Sequence, residues 1–286
     1  MRSVRSQIAH VRSTVTFVTR VMTMREYPQM ALTLTCGELE VDVLPERGLD
    51  LAQARFGGER FTWESPLGHI PWQGDFARSF GGGLVVTCGL RNAGAASEGQ
   101  PLHGWYSSLA ARDVEVGADA ASGRVVDAEV PGPTLVLRRQ ISVRPGAIRI
   151  ADRVRNEGEH PEPAPILYHV NLLWDTVDID SDEVAPRDDE ARAGDWRTLG
   201  PPGPERVYEH LGAGRAVVEH GRTRVTVRSD LPRLWQWIHP DYGVLGIEPA
   251  NCSVLGRAHD RAEGRLPVLA AGEERSSRLE VSVESV

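Results

Sequence analysis

Residues 167–174 read "LYHVNLLW", an apolar, strand-like run with a histidine and an asparagine near its centre. Side chains two positions apart on a strand point to the same face, so His169 and Asn171 are predicted to lie side by side. Two interpretations fit this pattern. The histidine is either a core residue whose ring is hydrogen-bonded by a neighbour, or it lines a pocket for a polar ligand.

Glu248 is the second residue whose setting suggests chemistry. It ends the apolar run "VLGIE" and is followed by Pro249. A buried, unpaired carboxylate is costly, and burial raises its pKa towards neutrality, which suits a general base. The alternative is a glutamate at the edge of a sheet, in contact with water.

Further polar residues stand beside glycine-containing turns. His103 in "PLHGWYS" precedes a glycine, which allows the backbone to approach a ligand closely. Arg47 lies in "PERGLD", and Arg78 and Arg91 flank "FGGGLVVTCGL", where Cys88 is expected to be a small buried residue. An arginine fork suits sugar hydroxyls, carboxylates or phosphates, and the alternative is a surface ion pair. The chain lacks GxGxxG, P-loop and GxSxG motifs.

The elements that must position these residues look like antiparallel strands. Short runs alternate apolar and polar residues, and Gly, Pro, Asp or Asn bounds them at intervals of about ten residues. Hairpin turns are predicted at Pro145–Gly146 and near His220–Gly221. Helical periodicity is scarce. The pattern favours an all-β sandwich or barrel with helix only in short pieces, and argues against a βαβ fold.

The same strand pattern also predicts the domain organisation. Residues 30–286 contain no convincing linker and are predicted to form a single domain, preceded by an N-terminal arm or first strand over residues 1–29. Removing about the first 20 residues is expected to leave most of the core intact. Residues 180–206 are acidic and then rich in Pro and Gly, and are predicted to form a long surface excursion near the mouth of the site.

Composition limits the class of protein. The formal net charge is −8 and the pI is near 5.6, which argues against nucleic acid or an anionic membrane as the main partner. The three cysteines, Cys36, Cys88 and Cys252, are far apart and fit a reducing cytoplasm. The arginine-containing first 25 residues fit a secretory signal poorly, whereas a transit peptide stays open. A homodimer is compatible with the sequence.

Five motifs occur here in the order of landmarks of a known superfamily. "PLHGWYS", "IRIADRVRNEG", "YHVNLLW", "GIEPAN" and "LAAGEERSSRLEVSV" resemble the galactose mutarotase-like (aldose 1-epimerase) superfamily. "PERGLDL", "GGLVVTCGLRNAG", "LHGWYS" and "EPAN" are similar to its DUF4432 branch. The resemblance runs from about residue 30 to the C-terminus. It implies a large antiparallel β-sandwich with a carbohydrate site in its concave face, and an isomerase of carbohydrate metabolism that opens and recloses a cyclic sugar.

The resemblance also implies roles for individual residues. Glu248 matches the general base, His169 is the candidate acid, and His103 matches a substrate-binding histidine, with the acid role open between the two histidines. His169 lies two positions before Asn171, where the family usually has four, so its ring is expected about 7 Å along the strand and Leu167 takes the family position. The expected substrate-binding residues are His103, Arg47, Arg91, Asn171, Arg78 and Trp105.

The resemblance implies neither a cofactor nor a metal ion, because an acid and a base suffice for this reaction. The indole faces of Trp105, Trp174 and Trp237 could pack against a pyranose ring. Two other functions stay open at this point. One is a metal-assisted sugar isomerase or lyase that uses the histidines and Glu248 as ligands, and the other is a non-catalytic carbohydrate-binding sandwich.

Overall fold

The computed structural model describes residues 31–66, 73–130 and 132–286. The predicted arm over residues 1–29 therefore lies outside the described residues. Strands make up about 52% of the chain and helices about 10%, so the prediction of an all-β fold is confirmed. Each described α-helix is short: α1 spans Phe76–Ser79, α2 spans Asp189–Ala193 and α3 spans Arg257–Ala262. Among the described helices, none has the length and apolar character that a membrane span requires.

The described strands follow one another with short connections. They are β1 Leu32–Cys36, β2 Leu39–Leu44, β3 Asp50–Phe56, β4 Glu59–Arg60, β5 Val85–Gly89, β6 Arg112–Val116, β7 Ala120–Ala128, β8 Thr134–Arg144, β9 Ala147–Asn156, β10 Glu162–Pro163, β11 Ile166–Leu172, β12 Thr176–Ile179, β13 Glu183–Pro186, β14 Arg206–Leu211, β15 Arg215–His220, β16 Thr223–Ser229, β17 Arg233–His239, β18 Val244–Ala250, β19 Val268–Leu269 and β20 Glu274–Ser285.

Two large antiparallel sheets form the sandwich. Over the described ranges, the larger sheet has the order β1-β2-β3-β5-β11-β18-β17-β14-β13, with β4 attached to β3. The smaller has the order β12-β15-β16-β20-β9-β8-β7-β6, and β10 and β19 make a separate ribbon. The β8–β9 hairpin pairs Arg144 with Ala147, and the β15–β16 hairpin pairs His220 with Thr223. Both predicted turns are confirmed.

The main core lies between the two sheets. Alternation along β8 and β9 sends Leu137, Ile141 and Ile150 inward, where each is at most 2% exposed. Tyr168 and Val170 of β11 meet them from the larger sheet. Truncating one large aliphatic side chain in such a core typically costs about 2–5 kcal/mol, so this layer supplies much of the stability.

The outer face of the larger sheet carries a second apolar cluster. It consists of Phe76, Val86, Cys88, Ala93, Leu167, Val207, Trp235, Ala250, Cys252 and Val254. The central strands β11 and β18 are therefore covered on both faces, and every residue in them is buried. This explains why their sequences read as continuous apolar runs instead of alternating. A polar side chain on this outer face lies in an apolar setting, and that is where His169 and Glu248 are found.

Candidate functional site: a buried imidazole–carboxyl pair

The register of the two central strands places His169 opposite Glu248. β11 and β18 pair Val170 with Ile247 and Leu167 with Ala250, so the intervening positions face each other on the outer side of the sheet. His169 Nε2 lies 3.3 Å from Glu248 Oε1, and both side chains are almost completely buried. The ring therefore reaches the carboxyl group directly, although it lies one residue pair along the strand from Leu167.

Gly246 provides the space that this contact occupies. It lies two positions before Glu248 on the same face of β18, and it is paired with Asn171 on one side and Trp237 on the other. A Cβ atom at this position would come within 3.0 Å of Glu248 Oε1 and 3.0 Å of His169 Cε1. Neither atom could keep its place, so the absence of a side chain at Gly246 is part of the site.

Aromatic rings surround the pair. The ring of Trp237 lies edge-on to that of His169, with centroids 5.2 Å apart. Phe80, directly after α1, lies 5.1 Å from the His169 ring and 5.9 Å from the Trp237 ring. Together they form a wall of apolar ring faces beside one imidazole and one carboxyl.

A tightly packed turn brings His103 to the same wall. Its backbone adopts φ 59°, a left-handed conformation uncommon for residues other than glycine. A Cβ atom on Gly104 would lie only 2.3 Å from the carbonyl oxygen of Gly89, so only glycine fits there. The His103 ring lies 4.5 Å from Phe76 and 6.0 Å from His169. The structure thus brings together three residues that the sequence singled out: His103, His169 and Glu248.

Asn171 lies next to the pair and is held by two hydrogen bonds to the backbone. Its Nδ2 donates to the carbonyl oxygens of Gly83, at 2.9 Å, and His169, at 2.9 Å. Its Oδ1 and the Nδ1 of His169 are both buried, and neither has a hydrogen-bond partner among the described residues. The Asn171 side chain nevertheless acts on the ring, because it raises the pKa of His169 against the effect of burial.

Burial controls the protonation of the pair. Burial first, and then the carboxylate of Glu205, raise the pKa of Glu248 from its ordinary value of 4.5 to about 8, against a smaller lowering by Arg187. Burial, followed by the nearby His103, lowers the pKa of His169 to about 3. Burial likewise lowers the pKa of His103 to about 4. At neutral pH the pair therefore holds one acidic proton, which burial favours on the carboxyl.

The segment over residues 180–206 contributes Arg187, Asp188 and Glu205 beside the pair, and these three residues are called the rim below. Trp237 Nε1 donates to Glu205 Oε2 at 2.8 Å. Arg187 Nη2 lies 3.2 Å from Glu205 Oε1 and 2.7 Å from Asp188 Oδ2. Sequence reasoning did not single out Glu205 or Arg187, because nothing in the local pattern of an acidic loop shows which carboxylate folds back over the sheet.

Two arginines expected in the site make other contacts. Arg47 is buried in a 3₁₀ turn over Pro45–Arg47, and its Nε donates to the carbonyl oxygen of Ser107. Arg91 is buried too, with Nη2 3.0 Å from Asp127 Oδ1 and Nη1 bonded to Glu129. The structure gives Arg91 the role of a buried ion pair and does not bring it into the contacts of the His169–Glu248 pair.

The remaining predicted residues lie at the periphery or elsewhere. Arg78 belongs to α1 next to Phe76, but its side chain is 75% exposed and 3.6 Å from Asp75. Trp105 is 37% exposed, two positions after His103. Trp174 packs against the core between the sheets. Over residues 31–66, 73–130 and 132–286, no three His, Cys, Asp or Glu side chains converge as a metal-binding set would.

The two-layer antiparallel sandwich has a galactose mutarotase-like fold. The family model of DUF4432, a domain of unknown function, matches residues 29–283. The chain belongs to this family.

Solved structures show the same fold at low sequence identity. A candidate aldose 1-epimerase from Klebsiella pneumoniae has a TM-score of 0.77 and 21% identity over 88% of this chain and 79% of that one. Another from Escherichia coli K12 has a TM-score of 0.70 and 15% identity over 90% and 99% of the two chains. A galactose mutarotase-like protein from Lactobacillus casei has a TM-score of 0.64 and 12% identity over 89% of this chain and 100% of that one. No curated protein matches the chain in sequence.

Proposed function

We propose that this protein is an aldose 1-epimerase-like isomerase, which opens and recloses the hemiacetal of a cyclic sugar. The observation that carries the proposal is the 3.3 Å contact between His169 Nε2 and Glu248 Oε1 at the base of an aromatic-walled site. The similarity of fold to candidate aldose 1-epimerases supports the same reaction class.

The reaction needs one proton donor and one proton acceptor at a single carbon. The donor gives its proton to the ring oxygen as the bond from that oxygen to the anomeric carbon breaks, and the acceptor takes the proton of the anomeric hydroxyl. The resulting aldehyde turns about its bond to the sugar chain, and the steps reverse to close the opposite anomer. Both reacting oxygens are attached to one carbon, so a donor and an acceptor in contact with each other can reach both.

The proton count of the pair fits this requirement. With Glu248 as base and His169 as acid, the shared proton sits on the imidazole, whereas burial favours the carboxyl at rest. These are two placements of the same single proton across one contact, and a bound sugar that hydrogen-bonds to the carboxylate favours the first. The pair titrates as a unit, so the catalytically competent state is the one-proton state.

The surrounding side chains would bind the sugar. The indole of Trp237 offers an apolar face for the C–H groups of a pyranose, and Glu205 fixes its orientation through the indole N–H. His103 is held neutral by burial, and its Nδ1 accepts the Gly94 N–H at 3.3 Å, so its Nε2–H can donate one hydrogen bond to a hydroxyl. The aromatic wall limits access of water to the open-chain aldehyde.

The test is an exchange measurement on a panel of aldoses. Two-dimensional NMR exchange detects the interconversion of the α and β anomers at equilibrium, and polarimetry follows the approach to equilibrium from a pure anomer. We expect acceleration over buffer for at least one sugar, unchanged after treatment with a chelator. Binding of sugars without any acceleration would instead indicate a carbohydrate-binding sandwich, and loss of activity with chelator would indicate a metal-assisted enzyme.

A further inference from the structure

Three arginines around the described part of the site have a carboxylate partner, one on the rim, one on the neighbouring strand β17 and one on α1. A fourth, Arg206, follows Glu205 and donates instead to the backbone carbonyl oxygens of Asp195, Thr198 and Leu199. The pairs are Arg187 with Asp188 and Glu205, Arg233 with Glu209, and Arg78 with Asp75. A ligand carrying a phosphate or carboxylate would have to displace one of these carboxylates before an arginine fork could bind it.

The rim itself carries an excess of negative charge. Arg187 is shared between two carboxylates, those of Asp188 and Glu205, through the same Nη2 atom. One cation against two anions leaves a net charge of about −1 at the entrance. Deeper in the site, the buried pair is neutral overall in its one-proton state and His103 is uncharged. Neither the described pair nor His103 therefore offers a positive charge to offset the rim.

Glu205 is the rim carboxylate that acts on the interior. Its Oε2 accepts the indole N–H of Trp237, whose ring is in contact with His169. Its charge raises the pKa of Glu248 and that of His103, so its field extends over both. The side chain is 44% exposed, so it can meet a ligand that approaches this side of the sheet. Its carboxylate is able to accept hydrogen bonds from sugar hydroxyls and repels anions.

We propose that the site takes uncharged aldoses, and that Glu205 is the residue that excludes sugars bearing a carboxylate or phosphate. This inference rests on the function proposed above, because it concerns the same site. Like charges brought together at a partly desolvated entrance are strongly unfavourable, whereas a neutral sugar turns the same carboxylate into a hydrogen-bond acceptor. Glu205 is thus a specificity-determining residue.

The experiment compares neutral and anionic sugars that share a ring configuration. The probes are glucose against glucuronate and glucose 6-phosphate, and galactose against galacturonate. Anomer exchange gives kcat/KM and calorimetry gives the Kd of each sugar at low salt. For the wild-type protein we expect the neutral sugar to be preferred by roughly 10- to 100-fold, which corresponds to a like charge near a partly screened site. The preference should shrink when salt is raised.

Four variants test whether Glu205 sets this preference. Glu205→Gln keeps the acceptor for the Trp237 indole but removes the charge, and we expect the preference to narrow roughly tenfold. Glu205→Asp retains the charge and most of the preference, and covers the case in which the glutamine variant folds poorly. Arg187→Gln leaves Glu205 without its cation and widens the preference. Glu219→Gln, a half-exposed glutamate bonded to Arg224 on the smaller sheet, is the matched control and changes nothing.

The outcomes separate this inference from the proposed function. Tighter binding of neutral sugars without any exchange would support the inference and overturn the isomerase. Efficient exchange with uronates or sugar phosphates preferred would leave the isomerase standing and overturn the inference. An equal response of Glu205→Gln and Glu219→Gln would remove Glu205 from the specificity. Failure of every sugar to bind would overturn both.

Discussion

Two buried polar clusters lie on opposite faces of β11, and their construction differs. In the core between the sheets, Arg139 forms a fork with Asp152, with contacts of 3.0 and 2.7 Å, and also reaches Asp50 at 3.1 Å and Thr87 at 2.8 Å. Although burial disfavours its charge, Asp152 and Asp50 raise the pKa of Arg139. Arg139 keeps its charge because opposite charges and hydrogen bonds surround it. Burial raises the pKa of Asp50, whose Oδ2 has no hydrogen-bond partner among the described residues, to about 6.

The cluster on the outer face is sparsely connected. His169 and Glu248 share one contact of 3.3 Å, and His169 Nδ1 has no hydrogen-bond partner among the described residues. Tyr168, the preceding residue, donates to Asp152 at 2.9 Å on the other face. Neighbouring residues of one strand thus belong to a cluster built around a charged arginine and to a pair in which burial favours the uncharged forms. The comparison shows that burial shifts a pKa towards neutrality most strongly where the buried group lacks an opposite charge or hydrogen bonds.

The largest expected effect concerns the sparse cluster. Glu248→Gln keeps the shape of the side chain but can neither release nor accept the shared proton, so we expect turnover to fall by about 10²–10⁴-fold. Sugar affinity should change much less. Anomer exchange and calorimetry measure the two quantities, with Glu219→Gln as the control. Turnover within threefold of wild type would show that the pair is not catalytic.

The same substitution should affect stability in the opposite direction. The raised pKa of Glu248 means that the folded protein retains a proton that the unfolded chain releases between pH 4.5 and about 8. Wild-type stability therefore declines as pH rises through this window. Glu248→Gln has no such proton, so at pH 8 it should melt at a higher temperature than wild type. A lower melting temperature would mean that the carboxyl stabilises the fold.

Breaking the well-connected cluster should cost stability instead of activity. Arg139→Met leaves two buried carboxylates without their cation, and we expect a loss of about 3–5 kcal/mol in the free energy of unfolding. Urea unfolding measures it. Arg153→Met, whose side chain is 67% exposed, is the control and should cost less than about 1 kcal/mol. Tyr168→Phe is a milder variant, with an expected loss of about 1 kcal/mol. Wild-type stability in Arg139→Met would contradict this account.

The pH dependence of turnover tests the shared proton. The one-proton state of the His169–Glu248 pair exists between the lowered pKa of about 3 and the raised pKa of about 8. Turnover should be flat across neutral pH and fall about tenfold per pH unit above about 8. Glu205→Gln removes a charge that raises the pKa of Glu248, so this alkaline limb should move to lower pH. A profile that rises through pH 8 would contradict the single shared proton.

The smallest expected effect comes from displacing the pair without removing it. In Gly246→Ala the new methyl group meets Glu248 Oε1 and His169 Cε1 at 3.0 Å, so both must move by a few tenths of an ångström. We expect a roughly tenfold drop in kcat with little change in melting temperature. Gly214→Ala, where a Cβ atom would have nothing within 4 Å, is the control. Unchanged kcat would show that the geometry of the pair is not critical.

The sequence predicted the sandwich because alternation and turn residues are local signals. It also singled out His103, His169, Asn171 and Glu248, because each is polar in an apolar or glycine-rich setting, and the structure brings these four together. Glu205 was missed, since its place over the sheet depends on how a long excursion packs.

Arg91 illustrates the reverse problem. The sequence around an arginine beside a glycine turn looks the same whether the guanidinium binds a ligand or, as here, pairs with Asp127. In both cases the partner is distant in the chain, and a single sequence does not record it.

The pairing of β11 with β18 closes a very long loop. The chain between them runs through β12, β15 and β16 of the smaller sheet and through β13, β14 and β17 of the larger one. Closing such loops makes sheet-rich proteins slow to fold, because chain entropy is lost before distant contacts form. The imidazole and the carboxyl meet only once this non-local pairing exists. After dilution from denaturant, the recovery of activity should therefore lag behind the recovery of compactness. The time course of activity would report when the central sheet is complete.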